Sequence, residues 1–135
     1  MILVDTSVII SYLKGKEGCK VSLLEEILDR DIPYGISSLT YQEVLQGAKD
    51  ENEWKNLQGY LSTQKIYYPE PVLDTYEKAA RLLFDLRRQG ITPRSSIDII
   101  IVLTALEHGL ALLHDDRDFD MIDEHVSGLR ILERF

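Results

Sequence analysis

The feature that most constrains this chain is a pair of short apolar runs that each end on acid. Ile2-Leu3-Val4 stops at Asp5, and Leu110 to Leu113 runs straight into His114-Asp115-Asp116. Runs this short and continuous read as buried strands. Between them the apolar spacing changes to a helical period. Ser7 to Leu13 predicts a short helix ended near Gly15, and Val21, Leu24, Ile27 and Leu28 predict a second. Ile32 to Ile36, with Pro33 at its start, predicts a strand, and Leu39 to Leu45 a helix that stops at Gly47. Trp54, Leu57, Tyr60 and Leu61 mark another helix, Ile66-Tyr67-Tyr68 another strand, and Val72 to Leu83 a longer helix closed by Gly90. Pro93, Ser95 and Ser96 open a helix that runs through Asp98 to about His108 and ends at Gly109. Apolar residues lie nearly all round that helix, which predicts a central, buried position. Arg130-Ile131-Leu132 predicts a last short strand. Strands that alternate with helices point to an α/β fold with a mostly parallel sheet.

No internal repeat, linker or low-complexity stretch divides the 135 residues, so one domain over 1–135 is expected. With 44% hydrophobic and 28% charged residues, the chain fits a folded protein rather than a disordered one. The longest apolar run, Ile99 to Leu103, is far too short to span a membrane. The start, Met-Ile-Leu-Val-Asp, has no basic segment ahead of its apolar residues, so no secretory signal is expected. Cys19 is the only cysteine, and the simplest compartment is the reducing cytoplasm.

Fifteen basic and 23 acidic residues give a net charge of −8. That argues against a protein that holds nucleic acid mainly by neutralising phosphates. It leaves room for a nuclease whose bound cations make the phosphate contact. Acid is densest between His114 and His125, where the plain reading is a solvated turn or helix start.

Each acid of interest has a structural explanation as well as a chemical one. Asp5 suits a helix N-cap, and Asp116 suits a turn after a strand. Thr40-Tyr41-Gln42-Glu43 fits a capping box, with Glu43 reaching back to the Thr40 amide; Ser95-Ser96-Ile97-Asp98 resembles one. Asp98 resists the structural explanation most, because Ile97 and Ile99 to Leu103 surround it and a buried carboxylate needs a partner. Position unites these residues. Ligands of parallel α/β sheets bind beyond the carboxyl ends of the strands, where Asp5 and Asp116 lie and where the helices of Glu43 and Asp98 begin. Clustered carboxylates repel unless a cation joins them, and an all-oxygen donor set suits Mg²⁺ or Mn²⁺. No cysteine pair or His-x-x-x-His spacing points to zinc.

Four segments together resemble PIN domains, most nearly the VapC-type toxins of toxin–antitoxin pairs. They are Ile2-Leu3-Val4-Asp5-Thr6-Ser7, Ser38 to Gly47, Asp98 to Gly109, and Leu112-Leu113-His114-Asp115-Asp116-Arg117-Asp118-Phe119. The resemblance covers nearly the whole chain. It implies a three-layer α/β/α sandwich and a Mg²⁺- or Mn²⁺-dependent endoribonuclease. It also implies a homodimer and an inhibitory antitoxin. By matched position it implies Asp5, Glu43, Asp98 and Asp116 as catalytic acids, with Asp118 open as the alternative fourth acid, and metal ligands drawn from Asp5, Asp98, Asp116 and Asp118. Thr6 and Ser7 are nearby hydroxyls that contact a ligand or steady a carboxylate. The chain departs from the family at His114, which stands where Thr or Ser is usual; a phosphate contact and a packing role are both open to it.

Such a site would hydrolyse an RNA phosphodiester with metal-activated water. No Gly-x-Ser-x-Gly pattern offers a nucleophile instead. Lys14, Lys16, Arg87, Arg88 and Arg94 are the basic residues placed to meet RNA. The acidic pocket suits a basic antitoxin segment, with hydrophobic anchors in a groove between early helices. The alternatives are a PIN RNA-processing nuclease without an antitoxin, a PIN-like scaffold without catalysis, and a receiver-type phosphoacceptor domain. Against the receiver stand Asp5-Thr6-Ser7, where adjacent acids are expected, and the lysine-free segment from Leu110 to Phe135.

Overall fold

A computed structural model describes residues 1–135. Its elements run β1 (Ile2–Val4), α1 (Thr6–Leu13), α2 (Cys19–Asp29), β2 (Tyr34–Ser37), α3 (Ser38–Gln46), α4 (Glu51–Leu61) and β3 (Ile66–Tyr67). They continue with α5 (Leu73–Arg88), α6 (Ser96–His108), β4 (Ala111–Leu113), α7 (Arg117–Asp123) and β5 (Arg130–Ile131). The strands form a five-stranded sheet in the order β3-β2-β1-β4-β5, and every pairing is parallel. In the β1–β4 pair, Ile2, Leu3 and Val4 stand opposite Ala111, Leu112 and Leu113.

The two-residue period of a strand sorts side chains to opposite faces. Ile2, Val4, Ile36 and Leu113 join one core with Val8, Ile9, Leu24, Ile27, Val44, Leu45 and Leu61, under α1 to α4. Leu3, Tyr67 and Leu112 join the other with Leu86, Ile99, Ile101, Val102, Ala105, Phe119 and Ile122, under α5 to α7. The result is the expected three-layer sandwich. Each fully buried aliphatic side chain contributes about 1.5–3 kcal/mol relative to an exposed one. Helix α6 is apolar nearly all round because it lies between the sheet and α5 and α7, with Ile99, Ile101, Val102, Thr104 and Ala105 all buried.

Two glycines are required by the backbone. Gly109 ends α6 at φ 64°, a left-handed conformation that a side chain disfavours. Gly35, in β2, lets Tyr67 of β3 lie against it: a Cβ there would stand 2.5 Å from Tyr67 Cε2 and 2.7 Å from the Lys65 carbonyl oxygen. No helix is long and apolar enough to cross a membrane.

The strand order excludes the receiver-type alternative, whose sheet runs 2-1-3-4-5. Here the connections leave β1 in one direction toward β2 and β3 and return on its other side at β4. The chain therefore reverses direction between β1 and β4, and a crevice opens beyond their carboxyl ends.

Candidate active site

Asp5 and Asp116 follow the two strands that flank this crevice. Asp5 is 4% exposed and caps α1. Its Oδ2 accepts both the Ser7 amide at 3.0 Å and the Ser7 hydroxyl at 2.6 Å. The Asp5 amide donates to the Leu113 carbonyl at 2.9 Å, which extends the β1–β4 pairing to the site itself. Burial raises the pKa of Asp5, the Ser7 hydrogen bonds oppose that, and the Glu43 charge adds to it. Capping and a site role are thus compatible in one residue.

The capping-box reading of Glu43 does not hold. Helix α3 begins earlier than the box requires: Ser37 is its N-cap and accepts the Leu39 amide at 3.1 Å, so Thr40 lies inside the helix. Glu43 is freed to face α1, and its Oε1 accepts the Thr6 hydroxyl at 2.8 Å. Thr6 Oγ1 also stands 3.0 Å from the hydroxyl of buried Thr40, a residue that the sequence reading did not assign to the site.

Asp98 lies in the first turn of α6, whose cap is Ser95; the Ser95 hydroxyl oxygen accepts the Ile97 amide at 3.1 Å. Burial pushes the Asp98 carboxyl up to about 7, followed in effect by the charges of Asp5, Asp116, Glu43 and Asp118. Ser95 rather than Asp98 caps the helix, which leaves the Asp98 carboxylate to meet acids from beyond β4.

Carboxylate oxygens of Asp98, Asp116 and Asp118 all lie within 4.8 Å of one another. Asp116 is the N-cap of α7, and its Oδ1 accepts the Asp118 amide at 3.0 Å. Asp118, 5% exposed, turns inward from the same helix. Sequence alone left open which of the two is the fourth acid; the fold brings both to Asp98. Asp5 and Glu43 act on Asp98 through charge but are not part of that closest set. The acid-rich segment is accordingly split: Asp116 and Asp118 face the site, while the Asp115 and Asp120 side chains are exposed.

Arg94, in the loop before α6, spans the pair. Its Nη2 is 2.6 Å from Asp116 Oδ1, its Nε 3.2 Å from Asp118 Oδ2, and its main-chain amide donates to that same Asp118 oxygen at 2.9 Å. The sequence marked Arg94 only as a basic residue near the Asp98 helix. Its partners lie beyond β4, out of reach of any local spacing rule. Of the other basic candidates, Lys14 borders the groove described below, and Arg88 lies over the Phe84 ring at 5.6 Å.

His114 is not part of the close carboxylate group. It is 2% exposed, its ring packs on Phe119 at 4.9 Å between centroids, and its Nδ1 accepts the Asp116 amide at 3.1 Å. Of its two readings the structure favours packing: the imidazole holds the turn that presents Asp116. The acceptor role of Nδ1 places the ring proton on Nε2, which stands 3.3 Å from Asp120 Oδ1 without forming a hydrogen bond. Burial lowers the His114 pKa, against the opposing charge of Asp120, and keeps the ring neutral.

Asp116 and Asp118 border a cavity of ≈ 430 Å³, lined also by Arg94, Asp115 and Arg117. On the other side of Glu43, a groove of ≈ 320 Å³ runs between α1, α3 and α4, lined by Ile10, Leu13, Val44 and Leu57 together with Lys14 and Glu53.

Residues 2–125 match the family profile described as PIN domain. The chain belongs to the PIN-domain family. Among similar PIN proteins, Ribonuclease VapC11 of Mycobacterium tuberculosis is 28% identical over 123 residues, covering 90% of this chain and 91% of the relative. VapBC2 of Rickettsia felis, solved bound to a promoter DNA fragment, includes a chain of the same fold at TM-score 0.71 and 19% identity, with 98% of each chain covered. VapBC-1 of nontypeable Haemophilus influenzae gives TM-score 0.71 at 21% identity, also with 98% of each chain covered.

Proposed function

We propose that this PIN domain, spanning residues 1–135, is a metal-dependent endoribonuclease and the toxin of a type II toxin–antitoxin pair. The observation that carries this reading is the convergence of Asp98, Asp116 and Asp118 at the β1–β4 switch point, beside buried Asp5. Support for RNA as substrate and for an antitoxin partner comes from the similar proteins named above.

The residues fit a hard divalent cation. The donor set is all carboxylate oxygen, and burial, with the charges of the neighbouring acids added to it, lifts the Asp98 carboxyl to about 7, a cost that a bound cation would offset. Asp98, Asp116 and Asp118 would hold Mg²⁺ or Mn²⁺, with Asp5 next to them. When bound, the cation lowers the pKa of a water and stabilises charge on the phosphodiester. The chain's own part is to orient its acids. Ser7 fixes one oxygen of Asp5 and leaves the other free. Thr6 holds Glu43 toward the site, and the His114 ring anchors the Asp116 amide. Glu43, like Asp5, lies outside the closest trio, and its carboxylate is suited to accept a proton from attacking water.

An antitoxin would place an apolar segment in the groove lined by Ile10, Leu13, Val44 and Leu57, and basic side chains toward the acids at its end. Homodimerisation and a cytoplasmic location complete the reading. The test is cleavage of RNA by purified protein with Mg²⁺ or Mn²⁺, its arrest by EDTA, and its loss by orders of magnitude in Asp5→Asn and Asp98→Asn variants that keep the wild-type circular dichroism. Full cleavage by either variant would overturn the site assignment.

A further inference from the structure

Arg94 occupies a position that a cation would contest. Its guanidinium bridges two of the converging carboxylates, Asp116 at 2.6 Å and Asp118 at 3.2 Å. No other Lys or Arg side chain pairs with Asp5, Glu43, Asp98, Asp116 or Asp118. The Arg94 side chain is 74% exposed, whereas that of Asp118 is 7% exposed, so the guanidinium approaches the acids from the solvent side. It also lines the ≈ 430 Å³ cavity beside them.

We propose that Arg94 is an internal competitor for the metal, a cation supplied by the chain that pairs with Asp116 and Asp118 until a divalent ion displaces it. This rests on the metal-site reading above. Three features support it. Arginine is charged at every working pH, and its planar fork matches two carboxylates at once. The neutralisation is partial, because the guanidinium reaches Asp116 and Asp118 while no basic side chain pairs with Asp98, whose carboxylate lies within 4.8 Å of both. A cation that engages all three acids therefore gains more than Arg94 does. The pairing is also reversible, since an ion pair this exposed is weak and its release costs little. The Arg94 main-chain amide bonds Asp118 independently of the side chain, at 2.9 Å. Removal of the guanidinium therefore takes away the competitor and leaves the buried acid held.

The consequence is a metal affinity set below that of the bare acid cluster. Calorimetric titration of the metal-free full-length chain with Mn²⁺ at constant pH tests it. Arg94→Gln should bind Mn²⁺ roughly three- to tenfold more tightly than wild type. Arg94→Lys, which keeps the charge but cannot span both acids, should fall between them. Arg117→Gln, which removes a charge from the same cavity without breaking a pair to these acids, should change affinity less than twofold. Thermal melting gives a second readout: Arg94→Gln should melt lower than wild type without metal and gain more from saturating Mn²⁺. Should Arg94→Gln fold poorly, Arg94→Lys carries the same comparison. Equal or weaker binding by the Arg94 variants, or equal tightening by Arg117→Gln, overturns the proposal. If Asp98→Asn abolishes Mn²⁺ binding while the Arg94 variants bind as wild type does, the competitor fails and the metal site stands. If Mn²⁺ does not bind wild type, or binds Asp98→Asn equally well, the metal site and the competitor fail together.

Discussion

The Ser7 hydroxyl donates to Asp5 Oδ2 at 2.6 Å while accepting the Asp115 amide at 3.0 Å. One side chain at the start of α1 thereby ties the end of β1 to the loop after β4, across the crevice where the site forms. A hydrogen bond to a charged group contributes about 1.5–3 kcal/mol, and supports of this kind typically change metal affinity 10–100-fold. Ser7→Ala should lower the urea midpoint and weaken Mn²⁺ binding by about tenfold. Wild-type affinity in that variant, measured by calorimetry, would show that Asp5 holds its place without Ser7.

The acid segment separates into carboxylates that meet Asp98 and carboxylates that do not, which gives a contrast within a few residues. Asp118 is buried against Arg94, and the Asp115 side chain is exposed. Asp118→Asn should weaken Mn²⁺ binding by at least about tenfold, because a ligand and its charge are lost together. Asp115→Asn should alter it by less than about threefold, the size of a screened surface charge effect. The same loss in both variants would mean that only total negative charge matters there.

A pH dependence follows from Asp98. Its folded-state pKa of about 7 lies above the ordinary value of 3.8. Between those values the folded state of the metal-free chain binds more protons than the unfolded state, so stability falls as pH rises through that window. Urea denaturation without metal should therefore show wild type gaining stability on acidification from about pH 8 toward about pH 5. Asp98→Asn should lack that component and be the more stable protein at pH 8. Saturating Mg²⁺ should stabilise wild type most at the alkaline end, where Asp98 is ionised. Parallel pH profiles for the two proteins would contradict a raised pKa of the Asp98 carboxyl.

Gly35 tests the fold apart from the chemistry. A Cβ would meet Tyr67 Cε2 at 2.5 Å and the Lys65 carbonyl at 2.7 Å, and the carbonyl belongs to backbone that moves only with β3. Gly35→Ala should cost about 1–3 kcal/mol in equilibrium denaturation. An unchanged midpoint would mean that β2 and β3 separate more easily than their close approach suggests.

Much of this molecule was decided locally. Apolar runs of β-length ending at Asp5 and beyond Leu113, helical spacing between them, and Gly109 after the Asp98 helix are short-range signals, and they marked most elements, although α4 begins at Glu51 rather than near Trp54 and the short helix α7 (Arg117–Asp123), in the acid-rich segment, was not predicted. Parallel pairing followed from their alternation, because consecutive parallel strands need helical crossovers. The acids that the fold gathers were legible as candidates, since acids that follow strands in such a sheet fall on one edge.

What the sequence by itself left undetermined was the partner of each acid. Glu43 matched a capping box, and only the packing of α3 against α1 showed that it meets Thr6 instead. Asp116 and Asp118 were indistinguishable until α7 turned both toward Asp98. His114 stood where a hydroxyl is usual, and only its burial against Phe119 assigned it to packing. Arg94 carried no signal beyond its charge, because its carboxylates lie on the far side of α6 and β4 in the chain. The physical reason is the range of the forces involved. Periodicity and capping act over a turn or a strand and are written in adjacent residues. Charge pairing and desolvation depend on which distant segments meet, and that is known only once the sheet has closed.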